Sequence, residues 1–203
     1  MENKMELIVG RDSTWSLRAW LCAKIAKVEV NELIIDLTKP DYKQTLLSYS
    51  PSGLVPALNV GESVIHDSLA IIEFFNEQSS GALFPTDELQ RAEARSLCSE
   101  LHSGFFQLRQ QCPFSLDPVE PLAELASDLN VEIKRVESIF EQAQQPFMYQ
   151  HAGAVDAFYS ILAFRLQSYG ITFNGKAGEY QQSLLNWPLL NQAIEVAMEW
   201  RKS

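Results

Sequence analysis

The residues best suited to chemistry stand in a polar loop, Arg11-Asp12-Ser13-Thr14, between a short apolar run and a helical pattern. A hydroxyl at a helix amino terminus has two uses. It can accept from a free backbone N–H and cap the helix. Alternatively, with the positive end of the helix behind it, it can donate to a nearby anion. Ser13 and Thr14 suit either use, and the pattern alone leaves both open. A second place is Val55-Pro56, ahead of an apolar stretch. A cis bond there would turn the N–H and C=O of Val55 outward, whereas a trans bond would make an ordinary strand-leading proline. The third is Asp67-Ser68, opening a helical pattern. It supplies a hydroxyl, an N–H at a positive helix end and a carboxylate, and it is equally an N-cap pair. His66 reads as a strand-end residue, and His102 and His151 have neither metal-ligand spacing nor a neighbouring nucleophile. No metal site is predicted.

These residues need elements to hold them. Met5 to Val9 is apolar and ends at Gly10, the pattern of a buried strand. Trp15 to Lys27 carries Leu17, Trp20, Leu21 and Ile25 at helical spacing, with Ser13, Thr14 or Ser16 available as its cap. Glu29 to Leu37 reads as a second strand, which a helical crossover makes parallel to the first. A short helix over Asp41 to Leu47 follows, then two short strands around Gly61-Glu62-Ser63, then a helix from Asp67 to Glu77. The order is β-α-β-α-β-β-α over residues 1–80. Ser, Gly and Pro then dominate, marking a linker at 81–88. Residues 89–203 are expected to be all helical: Leu89 to Cys112, Leu122 to Ala143, a nearly all-apolar helix from Ala154 to Tyr169 stopped by Gly170, and a last helix from Pro188 to Trp200. The fold class is α/β plus all-α, in two domains.

The chain has 203 residues, a formal net charge of −10 and 46% hydrophobic residues. Such an acidic balance disfavours nucleic acid and anionic membrane surfaces as partners. No apolar run approaches a membrane span of ~20 residues. The opening MENKMELIVG lacks the basic start and apolar core of a signal peptide, and Cys22, Cys98 and Cys112 form no C-x-x-C unit. A cytoplasmic protein with free thiols is expected.

Four segments, in order and suitably spaced, resemble the glutathione S-transferase family across nearly the whole chain. DSTWSLRAWL (Asp12 to Leu21) resembles the serine-type S-S-x-S-x-R stretch, as in the zeta class; GLVPAL (Gly53 to Leu58) is similar to the family's K-V-P-x-L; VIHDSLAIIEFF (Val64 to Phe75) is similar to its acidic-Ser-x-Ala-Ile motif; ALFPTDELQRAEAR (Ala82 to Arg95) resembles its linker and the following helix entry. The resemblance implies a thioredoxin-like amino-terminal domain, a helical carboxy-terminal domain and a homodimer. It implies glutathione as co-substrate, with a small hydrophobic electrophile as the second substrate. Ser13 would donate to the thiolate, with Thr14 as its substitute. Val55 would pair its main chain with the cysteinyl unit next to a cis Pro56, leaving its side chain almost free to vary. Asp67 and Ser68 would hold the γ-glutamyl end.

The sequence also departs from the family. Leu54 stands where a cation or glutamine usually reaches the glycine carboxylate, a task left to Lys39 or Lys43. Trp15 replaces a cysteine of the zeta motif, which weakens the alternative of a maleylacetoacetate isomerase-like cis–trans isomerase. A non-catalytic binding protein on the same fold is the third reading. Arg18 is read as structural. Asp156 is read as the surviving half of a capping box whose cap is Gly153. Phe105, Phe106, Arg109 and Phe164 are either walls of an electrophile pocket between the domains or plain core.

Overall fold

A computed structural model describes residues 5–203; the first four residues of the MENKMELIVG opening lie outside it. Four strands, β1 (Met5–Gly10), β2 (Asn31–Ile35), β3 (Ala57–Val60) and β4 (Ser63–His66), form one sheet in the order β2-β1-β3-β4. β1 and β2 are parallel, as the crossover helix α1 (Thr14–Ala26) requires, and β3 and β4 form the antiparallel hairpin. The register fixes which ends meet. Ile8 pairs with Ala57, Ala57 with His66, and Gly10 with Ile35. The loops after β1, β2 and β4, and the segment entering β3, therefore leave the sheet at one end. α2 (Tyr42–Tyr49) and α3 (Ser68–Gln78) complete this part.

The buried side of this sheet explains two glycine-scale constraints. Ile8, Ile35, Leu46 and Ala57 form a buried cluster, and Leu33, Leu37, Tyr42, Tyr49 and Val55 pack against it. A Cβ on Gly10 would stand 2.6 Å from Leu37 Cδ1 and 2.8 Å from Val55 Cγ2, so any other residue ending β1 would force those two side chains to move. The Val55 side chain is thus a packing element. This corrects the expectation that it is free to vary.

The helices after residue 84 are α4 (Glu88–Ser103), α5 (Phe106–Gln111), α6 (Ser127–Phe140), α7 (Ala154–Ser168) and α8 (Gly175–Leu185), with α9 (Pro188–Trp200) closing the chain. The chain falls into two compact units, one ending at Phe84 and rejoined by Gln192–Ser203, the other running from Pro85 to Asn191. The sequence division had given residues 192–203 to the helical domain. Their place in the first unit has a physical reason. Trp200, 2% exposed, donates its indole N–H to Glu32 Oε2 at 2.8 Å, while Trp20 donates to Oε1 of the same carboxylate at 2.6 Å.

In the second unit, α7 is buried along nearly its whole length and runs into the positive-φ Gly170, as its composition requires. Asp156, 1% exposed, accepts from Met148 N (2.8 Å), Gly153 N (2.9 Å) and the Tyr180 hydroxyl (2.7 Å). The bond to Gly153 N is the carboxylate half of a capping box; glycine has no side chain to make the other half. The expected single helix over Leu89–Cys112 is instead α4 and α5, broken at Gly104 and at Phe105, which takes φ +57°. A Cβ on Gly104 would lie 2.8 Å from the Glu100 carbonyl oxygen. α6 begins five residues later than Leu122, at Ser127.

Candidate functional site

Ser13 is the N-cap of α1, and its Oγ accepts from Ser16 N at 3.3 Å. A hydroxyl has one donor and two lone pairs, so the cap consumes acceptor capacity only. Among the described residues the Ser13 O–H donates to no group. The capping and donor readings are therefore compatible at this residue. Ser16, the other cap considered, accepts instead from Gly10 N at 3.1 Å and ties the end of β1 to the helix.

Thr14 is the first residue of α1, and its Oγ1 accepts from Arg18 Nη1 at 3.0 Å. Arg18 is 2% exposed and its guanidinium lies 4.4 Å from the centre of the Trp15 ring. Trp15 and Arg18 thus brace the first turn of the helix, the structural role expected of Arg18. The preceding loop is held as well. Arg11 pairs with Asp36 at 2.7 Å and donates to the Ser203 carbonyl; Arg201 pairs with Asp12 at 2.7 Å. Hydrogen bonds from the Thr38 hydroxyl and N–H, helped by the Arg11 charge, hold the Asp36 carboxyl below its ordinary range.

The Val55–Pro56 bond is cis. Pro56 is buried, Val55 half-buried. Among the described residues neither the N–H nor the C=O of Val55 takes part in a hydrogen bond. Such an unpaired donor and acceptor beside a sheet can pair with an extended peptide. Because Val55 packs next to Gly10, it lies close in the fold to the Ser13 loop.

Asp67 is the N-cap of α3, and its carboxylate accepts from Leu69 N at 2.8 Å. Its backbone holds φ +76° and ψ 133°, a region that favours glycine and costs other residues about 1–3 kcal/mol. Strain of this kind collects at ligand sites. Ser68, the first helical residue, is 2% exposed. His66 is the exposed last residue of β4, as expected.

Leu54, Lys39 and Lys43, the residues considered for a glycine carboxylate, are placed as follows. Leu54 is 67% exposed and offers no donor from its side chain. Lys39 is exposed in the turn after β2, where its N–H donates to the Asp36 carbonyl at 3.3 Å. Lys43, on α2, brings its Cε to 3.9 Å from where a Gly53 Cβ would stand. Lys43 thus lies alongside Gly53. The sequence could not show this, since it depends on α2 folding back over that residue.

Ser13, Val55, Asp67 and Lys39 are therefore gathered at one end of the sheet, with Lys43 beside Gly53. The proposed pocket walls are mixed. Phe105 is buried, Phe106 is 68% exposed, and Phe164 packs on Phe114 with ring centres 6.0 Å apart. Arg109 donates to the carbonyls of Gly104 (3.0 Å), His102 (3.2 Å) and Leu101, holding together the break between α4 and α5. Cys22, Cys98 and Cys112 are buried and form no disulfide among the described residues. A shallow groove of about 780 Å³ between Phe147, Phe173 and Trp187 contains none of the candidate residues. Among the described residues no group of three or more His, Cys, Asp or Glu could hold a metal ion, and no helix is long and apolar enough to cross a membrane.

This arrangement has relatives. Residues 12–78 match the family described as glutathione S-transferase, N-terminal domain. A probable maleylacetoacetate isomerase of Caenorhabditis elegans is 34% identical over 92 residues, covering 45% of this chain and 42% of that protein. A stringent starvation protein A homolog of Histophilus somni is 22% identical over 143 residues, covering 70% of this chain and 66% of that one. The chain thus spans less than two thirds of the length of either curated relative. A glutathione transferase homolog from Burkholderia GL BGR1, solved with bound glutathione, superposes with a TM-score of 0.72 at 18% identity, covering 97% of this chain and 98% of that one. The chain therefore has the fold of the glutathione S-transferases, and its residues 12–78 are similar to that family's N-terminal domain.

Proposed function

We propose that the protein is a glutathione transferase that holds glutathione at this end of the sheet, activates its thiol as the thiolate and directs it at a small hydrophobic electrophile. The observation that carries the reading is the pair of unmet groups at neighbouring positions: the main chain of Val55 beside a cis proline, and the donor hydrogen of Ser13 at a helix amino terminus. Val55 would pair with the cysteinyl unit as an added strand does. Ser13 and the positive end of α1 would favour the sulfur anion, whose proton goes to solvent and whose electron pair forms the new carbon–sulfur bond, while an aromatic halide loses halide with the carbon–halogen pair. Thr14, with its oxygen already bonded by Arg18, is the secondary donor. The Asp67 carboxylate and Ser68 would take the γ-glutamyl ammonium and carboxylate. Lys43, with Lys39 further along the loop, would face the glycine carboxylate. A homodimer in the cytoplasm is part of the same proposal.

A second reading, glutathione-dependent cis–trans isomerisation, is favoured by the relative named a probable maleylacetoacetate isomerase. There the sulfur adds to an activated double bond and leaves again after rotation. Trp15 stands against it, because it replaces the cysteine of the zeta motif. Both readings are tested by turnover of a generic aromatic halide and of maleylacetoacetate, each with wild type and Ser13→Ala. Conjugation that falls in the alanine variant supports the first reading; turnover of maleylacetoacetate alone replaces it with the second. Retention on immobilised glutathione with neither turnover leaves a binding protein.

A further inference from the structure

The helical unit holds a buried cation that the glutathione reading does not use. Arg165 lies on the largely apolar α7 and is 8% exposed. Its Nε is enclosed with no hydrogen-bond partner, and among the described residues Nη1 and Nη2 have none either, although they keep contact with solvent. A buried guanidinium left in this state is expensive unless an anion meets it.

Its surroundings supply none. Burial first, then the charge of Arg109, pushes Arg165 down to about 10, which still leaves it a cation at neutral pH. Burial pushes the Cys112 thiol up, and burial, then Cys112, pushes the Tyr169 phenol up, so both neighbours are neutral. The Tyr169 hydroxyl is committed to the Pro113 carbonyl at 3.0 Å. Glu132 bears on Arg109 and accepts from Gln107 N (3.2 Å) and Leu108 N (2.8 Å). Two cations thus sit within each other's field, and among the described residues the buried one has no counter-ion.

We propose that Arg165 anchors an anion site within the helical unit, taking a small carboxylate end-on across Nη1 and Nη2. The planar fork of a guanidinium matches the two oxygens of a carboxylate. Arg109, whose Nε and Nη2 are spent on backbone carbonyls, adds attraction at longer range. Phosphate and sulfate carry the same charge chemistry without the planar match, so the test separates them. The site stands independently of glutathione binding.

The test is thermal unfolding of the full chain at pH 7 without glutathione, replacing sodium chloride with acetate or maleate at constant ionic strength, beside phosphate and sulfate series. Carboxylate is expected to raise Tm by about 5 °C at a hundredfold excess over its dissociation constant. Phosphate and sulfate should do less. Arg165→Met should unfold at or above the wild-type temperature in chloride, because an uncompensated charge has gone, and should lose the carboxylate response. Arg165→Lys keeps the charge without the fork and should bind about tenfold more weakly. No wild-type response, a response to phosphate or sulfate alone, or a response undiminished in Arg165→Met overturns the proposal. If the methionine variant does not fold, the lysine variant decides, and undiminished carboxylate binding there refutes it.

Discussion

Replacing Ser13 separates its cap from its proposed donor role, because the helix cap needs an acceptor and a thiolate would need a donor. Ser13→Ala removes both. Ser13→Asp keeps an acceptor at the N-cap but brings a negative charge and no donor hydrogen, while Ser13→Thr keeps both functions. The cap bond is long, at 3.3 Å, so its loss should cost about 0.5–1 kcal/mol of stability in the alanine variant and little in the aspartate one. The donor role is larger. One hydrogen bond to a charged group is worth about 1.5–3 kcal/mol, or about 1–2 units of thiol pKa. A thiol at about 8.5 is about 3% ionised at pH 7, against about half when lowered to about 7. Conjugation at pH 7 should therefore fall about ten- to twentyfold in Ser13→Ala, and further in Ser13→Asp, where a carboxylate faces the sulfur. Stability should follow the opposite order, with aspartate above alanine. The assay is the pH profile of conjugation to an aromatic halide, paired with thermal unfolding. An alanine variant whose profile keeps its wild-type midpoint would refute the reasoning. So would an aspartate variant as active as wild type.

Other expectations follow from the same geometry. Asp156→Asn can keep its amide oxygen on Met148 N and the Tyr180 hydroxyl only by setting its NH2 against the Gly153 N–H, donor against donor; urea unfolding of the full chain should show a loss of about 1–3 kcal/mol, and no loss contradicts the assigned bonds. Lys43→Ala should weaken glutathione binding by about tenfold with little effect on a glutathione analogue lacking the glycine carboxylate, as read by calorimetry. Thr38→Val should cost stability in a defined window. The Asp36 carboxyl has a lowered pKa, so its contribution is present above the ordinary carboxylate pKa and lost as pH falls through the lowered one; the variant should match wild type only at the acid end. Acid-range unfolding curves that coincide throughout would contradict this.

The sequence carried much of this where period and punctuation agree. Gly10 ends β1, Pro188 starts α9, Gly170 stops α7, and Asp67 before an apolar helical pattern marks the entry to α3. It misled where the apolar spacing ran on through a break. Leu97, Leu101, Phe105 and Leu108 keep helical spacing, yet Phe105 is left-handed and Arg109 fastens the turn to the preceding carbonyls. α8 went unforeseen because GKAGEYQQSLL has two glycines and a weak apolar face. Within the site, local signals at Ser13, Pro56 and Asp67 were legible, since each acts through its own backbone or cap. Lys43 against Gly53, the packed Val55 side chain and the unpartnered Arg165 were not. Each depends on which residues distant in sequence the fold brings alongside.

The most direct measurement is a calorimetric titration of the full chain with reduced glutathione, run beside a thermal shift. One saturable event per chain, with unfolding raised by saturating ligand, is the predicted result. A flat titration and an unmoved unfolding temperature would contradict the claim that the Val55 main chain and the Ser13 hydroxyl form a glutathione site.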